Sequence, residues 1–146
     1  MSSFSQTERI DVATQEEKQI YIDEMVRRRG YVLDYHKALV QQDFEVMKKA
    51  NELVDATYLK ERTLDRKTKE LIFVVSLVVM RAPKAHIQSH IRAALNHGAT
   101  EEEVLEAIEI SLPEAGVVVF QEGFEAWREA VDAKGIEPNQ EILPAD

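Results

Sequence analysis

The chain is expected to be all-α, and three observations lead there. Apolar residues recur at three- and four-residue spacing along much of the 146 residues instead of alternating. These stretches are bounded by helix start and stop signals such as Asp43, Asp65, Gly30 and Gly98. The one run that could be a strand, Leu71 to Met80, finds no second strand-like run to pair with. Lys67 to Glu70 leads into it without a break, so it reads as helix.

Residues 1–14 read as a polar, flexible N-terminal arm. From Gln15, Ile20, Ile22, Met25 and Val26 recur at roughly helical spacing. Arg27, Arg28 and Arg29 followed by Gly30 form a stop signal, because cations suit a last turn and glycine suits the left-handed residue after it. A short helix is expected over Val32 to Val40. Asp43 can cap the next one, which places Phe44, Met47, Ala50, Leu53, Val54 and Tyr58 on one face. Asp65 is the expected N-cap of the central helix. Residues 72–80 are apolar on every side, a pattern that calls for burial all round, in part by another subunit. Pro83 suits the first turn of the following helix, which ends at Gly98. Thr100 and Glu103 have the spacing of a capping box. Pro113 is expected to break the chain after a short helix. Val117, Phe120, Phe124, Trp127 and Val131 then form a seam close to coiled-coil spacing, stopping near Lys134 and Gly135. Residues 136–146 contain two prolines and read as a tail, which leaves one helical domain over 15–135.

Composition narrows the function. A net charge of -9 argues against a general nucleic-acid or anionic-membrane binder, although a few local cations could still receive an anionic substrate. The chain has no cysteine, which excludes disulfides, thiolate metal sites and thiol nucleophiles. This fits a cytoplasmic protein. The first ten residues lack a basic start followed by an apolar stretch, so no signal peptide is expected. The apolar run of 71–80 is too short to span a bilayer.

Chemistry concentrates on the helix after Pro83. His86, His90, Ala93 and His97 share a stripe beside the apolar positions Ile87, Ile91, Ala94 and Leu95. Lys84, Gln88 and Arg92 lie towards the wet side. A histidine at the edge of a core can move protons near neutral pH, and the helix N-terminus disfavours a charged His86. His86 and His90 are also four residues apart, the spacing of a metal pair, which Glu70 could complete as a two-histidine-one-carboxylate set. The same residues could instead be hydrogen-bonded polar groups at the core edge. Glu70 precedes Leu71 and Ile72, so it is either a solvated first-turn acid or a desolvated one with a raised pKa. His97 suits a helix-ending interaction, His36 a surface position, and Arg27 to Arg29 a helix end. Glu114 follows Pro113 and is a weak candidate for the site.

The order Glu70, the apolar run to Met80, Pro83, His86, His90, Gly98 and Glu103 resembles the carboxymuconolactone decarboxylase superfamily, which also holds the alkylhydroperoxidase D-like proteins. The resemblance covers roughly residues 60–130, and the stretch from Arg29 to His36 looks like the N-terminal part of these proteins. It implies an alkylhydroperoxidase D-like helical bundle, assembled as a homotrimer or homohexamer. It makes His90 the family histidine and Glu70 its proton-relay partner. The peroxidase branch carries cysteines where this chain has Pro83 and His86, so thiol-dependent peroxide reduction is excluded. His86 therefore has no counterpart among the family's catalytic residues, and its candidacy rests on position alone. The decarboxylase branch acts without a cofactor on a lactone acid, but the turn Asn96, His97, Gly98 departs from its usual pattern. The implied function is a cofactor-free acid/base lyase or isomerase acting on a small carboxylated ring or lactone, with His90, Glu70 and His86 as candidate catalytic residues. Arg81 or Lys84 would neutralise a substrate carboxylate. A metal-dependent enzyme and a non-catalytic ligand-binding oligomer remain the alternatives.

Overall fold

A computed structural model describes residues 12–131. Most of the expected N-terminal arm, the end of the last helix near Lys134 and Gly135, and the expected tail lie outside these residues. Every element described is helical: α1 (Gln15–Arg29), α2 (Asp34–Gln42), α3 (Phe44–Val54), a π-helical turn (Asp55–Leu59), α4 (Arg66–Val79), α5 (Lys84–Asn96), α6 (Glu101–Glu109), α7 (Ser111–Ala115) and α8 (Val117–Ala130). None of the described helices is long and apolar enough to cross a membrane. The chain divides into two compact units after Leu59.

In the first unit, Thr14 and Glu17 cap α1 reciprocally: the Glu17 N–H donates to Thr14 Oγ1 at 3.1 Å and the Thr14 N–H to Glu17 Oε2 at 2.6 Å. Gly30, at φ 85°, ends the helix in the left-handed conformation that the stop signal requires. The core joins Ile22 and Met25 of α1 to Val40 of α2 and Met47 of α3. Tyr21 stands edge-on to Phe44, ring centroids 5.0 Å apart. Asp43 caps α3 as expected, accepting from the Val46 N–H at 3.1 Å.

One expectation fails here. His36 is buried, 1 % exposed, not at the surface. Its Nδ1 accepts from the Leu33 N–H at 3.0 Å, and its Nε2 lies 3.1 Å from Arg29 Nη1. Arg29 is itself buried and reaches Asn51 of α3. The three arginines do end α1, but the last of them turns inward and binds the polar centre of the unit.

In the second unit, Asp65 caps α4 by accepting from the Thr68 N–H at 2.7 Å. Pro83 stands just before α5 as its N-cap. Thr100 accepts from the Glu103 N–H at 3.0 Å, while the Glu103 carboxylate meets Lys67 Nζ at 2.8 Å. The core brings together Val74, Leu77 and Val78 of α4, Ile87, Ile91 and Ala94 of α5, Val104 and Ile108 of α6, and Val119 and Ala126 of α8. Ile72 of α4 is 49 % exposed, and Met80, which ends the helix, 68 %.

Two further expectations shift. Pro113 lies inside α7 and does not break the chain; the breaks fall at Ile110 and at Gly116, whose φ of 90° needs a glycine. On α8 the buried stripe is Val119, Gly123 and Ala126, with Phe120 and Trp127 packed at its flank and Val117 exposed. Residue size explains the offset. A Cβ on Gly123 would lie 2.7 Å from Val78 Cγ2 and 2.8 Å from Val78 Cγ1, so the helices approach on their smallest residues.

Gly123→Ala therefore sets helix propensity, worth up to about 1 kcal/mol in its favour, against overpacking that costs about 1–3 kcal/mol. Two branched valine methyls give way poorly, so urea denaturation should show a net loss. In a Val78→Ala background the same substitution should become neutral or stabilising. A stabilised single variant would mean that α4 and α8 are not held this closely.

Candidate active site

The α4 register that buries Val74, Leu77 and Val78 also buries Glu70, one turn earlier on the same face. Glu70 has no exposed surface. A carboxyl group there must replace its lost hydration with hydrogen bonds. His90 Nδ1 of α5 lies 2.7 Å from Oε2, and Arg66 Nε, one helical turn before Glu70, donates to Oε1 at 2.6 Å. His90 is 1 % exposed. Its ring stacks on Phe73, with centroids 4.4 Å apart and planes 10° apart, so hydrogen bond and stack together fix its orientation.

Opposing influences meet at Glu70. Burial pushes the carboxyl up from 4.5 to about 8, while the charge of His97 pulls the other way. The ion pair with Arg66 demands the anion. Across a 2.7 Å contact the retained proton belongs to the Glu70–His90 pair and not to one atom. Both protonation states therefore lie within reach near neutral pH, as a proton-transfer group requires.

His86 stands beside the pair, its ring centroid 5.3 Å from that of His90. Burial, and then the neighbouring His90, lower its pKa, so it is held neutral. Among the described residues no three His, Asp or Glu side chains are grouped to hold a metal ion. Glu70 meets His90 with one carboxylate oxygen and Arg66 with the other.

The other candidates lie elsewhere. His97 is exposed and its Nδ1 donates to the Ala93 carbonyl at 2.8 Å, a helix-end role. Glu114 is exposed on α7. Lys84 pairs with Glu129 of α8 at 2.8 Å. Gln88, expected on the wet side, donates to that same carboxylate at 3.0 Å. Arg81 is exposed and occupies the left-handed position ending α4, at φ 57°. In the first unit a cavity of about 280 Å³ is bordered by Arg28, Arg29 and Lys48 but equally by Glu24, Glu52 and Asp55, so its charges largely cancel. Sequence reasoning missed Arg66 and Phe73. The available signal was spacing: they lie four residues before and three after Glu70, on the same face of α4.

The model of the carboxymuconolactone decarboxylase family matches residues 45–129. A crystal structure of a candidate carboxymuconolactone decarboxylase from Burkholderia xenovorans LB400 superimposes with a TM-score of 0.72 at 22 % identity, covering 82 % of this chain and 92 % of that one. No curated protein matches.

The raised Glu70 pKa has a consequence for stability. Below pH 4.5 folded and unfolded chains both hold the proton, and its stabilising contribution is complete. From 4.5 to about 8 only the folded chain keeps it, so the contribution falls as pH rises and is gone above 8. The stability difference between wild type and Glu70→Gln, measured by urea denaturation, should shift against wild type across that window. Parallel profiles would place the Glu70 proton outside the folding equilibrium.

Proposed function

The chain belongs to the carboxymuconolactone decarboxylase family, and on that footing we propose that it is an acid/base enzyme, a decarboxylase or isomerase acting on a small carboxylated ring or lactone. The observation that carries this reading is the buried Glu70–His90 contact at 2.7 Å, clamped by Arg66 and Phe73. In this reading His90 moves the proton at the reacting carbon. Glu70 orients the ring through Nδ1 and balances the charge that develops on it. His86, held neutral beside it, is a second proton acceptor. No thiol nucleophile is available in a chain without cysteine. A second reading, a ligand-binding helical oligomer without turnover, is favoured by the near-complete burial of the His90 ring, 2 % exposed.

Carboxylated lactones, followed by ultraviolet absorbance and carbon dioxide release, separate the two. On an accepted substrate, His90→Ala should cost on the order of a hundredfold or more in turnover, the usual scale of a general acid or base, with helix content unchanged. Glu70→Gln should lower the rate and shift its pH profile, and His86→Ala should cost less than either. Ligand binding without turnover, unaffected by His90→Ala, would favour the second reading.

The same reading takes the protein to be an assembly of identical chains. Ile72, Val79 and Met80 leave one side of α4 exposed, surface of the kind that protein contacts cover. Sedimentation at micromolar concentration should give a homotrimer or homohexamer, and Met80→Glu should weaken it. A well-folded monomer would sink this part of the proposal.

A further inference from the structure

We infer that Arg66 is a positioning residue that sets the direction of the Glu70–His90 hydrogen bond, holding the proton on His90 Nδ1. The inference rests on reading Glu70 and His90 as the proton-handling pair.

A carboxyl group and an imidazole nitrogen can share one proton in two ways. The nitrogen can donate to a carboxylate, or a carboxylic acid can donate to the bare nitrogen. Both arrangements fit the 2.7 Å separation of His90 Nδ1 and Glu70 Oε2. They differ chemically at the far side of the ring. With the proton on Nδ1 the ring holds a proton on both nitrogens, and this imidazolium can give up its Nε2 proton and take it back. With Nδ1 bare, a neutral ring must carry its proton on Nε2, and the base is lost.

A fully buried site favours the second arrangement, because it contains no separated charge. Glu70 has no exposed surface, so burial alone would leave the proton on the carboxyl. Arg66 opposes this: its Nε–H meets Oε1, the oxygen that His90 does not use, at 2.6 Å. A guanidinium donates only and stays charged, so this contact stabilises the carboxylate, and a carboxylate can only accept from Nδ1. The arginine lies one turn before Glu70, its side chain 17 % exposed, so it brings a charge to the buried pair from the protein's edge.

Other titratable groups of the unit are engaged or neutral. His86, on the same helix as His90, is held neutral by burial. His97 acts on Glu70 through its charge, which favours the carboxylate. On the helices packed against α4 and α5, Glu103 of α6 is engaged by Lys67 at 2.8 Å, and on α8 Glu129 is engaged by Lys84 at 2.8 Å and Glu125 by Arg128 at 2.6 Å.

The test reads the tautomer directly, by long-range proton–nitrogen NMR on protein labelled with nitrogen-15 in its histidines, at pH 7, with His90 identified by the signal lost in His90→Gln. Wild type and Arg66→Lys should show a protonated-type Nδ1. Arg66→Gln should show a bare-type Nδ1 with the proton on Nε2. Arg66→Met, which keeps the apolar stem, reads the same reversal should the glutamine variant fold poorly. A bare Nδ1 in wild type, or a protonated Nδ1 retained in a folded Arg66→Gln or Arg66→Met protein, would overturn the inference. The readout needs no substrate: a reversed tautomer with turnover unchanged would count against the proposed chemistry, whereas an unchanged tautomer counts only against Arg66.

Discussion

A carboxyl group with no exposed surface sits where α4 meets α5, and its lost hydration has to be supplied by side chains. Most of the second unit's local geometry answers that demand. Asp65 caps α4 so that Arg66 stands one turn before Glu70. Pro83 starts α5 at a register that delivers His90 to the other carboxylate oxygen. Phe73, on the same face of α4 as Glu70, closes over the imidazole. A buried ion is costly unless its lone pairs are met, so the two helices cannot slide relative to each other without stranding it.

Such close register needs small residues around it. Ala93 and Ala94 are buried on α5, and Gly123 and Ala126 on α8. Where Gly123 faces Val78, the approach is tighter than a Cβ would allow. The aromatic residues of α8 are displaced to the flank, where Trp127 gives its indole N–H to the Glu101 carbonyl at 2.9 Å. The core is therefore packed aliphatic against small, and the polar pair occupies its edge. At that edge Pro83 stands just before α5 and His86 is a neutral ring beside His90.

The first unit shows the same physical problem solved differently. Arg29 and His36 are both buried, and Asn51 joins them from α3. There the charge is met by the neutral Asn51 Oδ1, and His36 Nε2 lies 3.1 Å from Arg29 Nη1. A surface reading of His36 fails because local pattern cannot show that the arginine ending α1 turns inward to meet it.

What the sequence by itself determined was the helical architecture and most of its boundaries. Caps are local chemistry: Asp43, Asp65, Thr100 and Gly30 act within three or four residues of themselves, so their effect can be read without a fold. Glu70 and His90 were legible as candidates for the same reason, each lying beside an apolar stripe. What only the tertiary structure decided is which partners they take. The contact between them spans twenty residues, and the stack on Phe73 depends on how closely α4 and α5 approach. The offset of the buried stripe on α8 was equally hidden, because periodicity marks large apolar residues, whereas close packing selects small ones. Capping and the pairing of Arg66 with Glu70 act along the chain, but burial and the contact of Glu70 with His90 act across it, and the site needs the second kind of force.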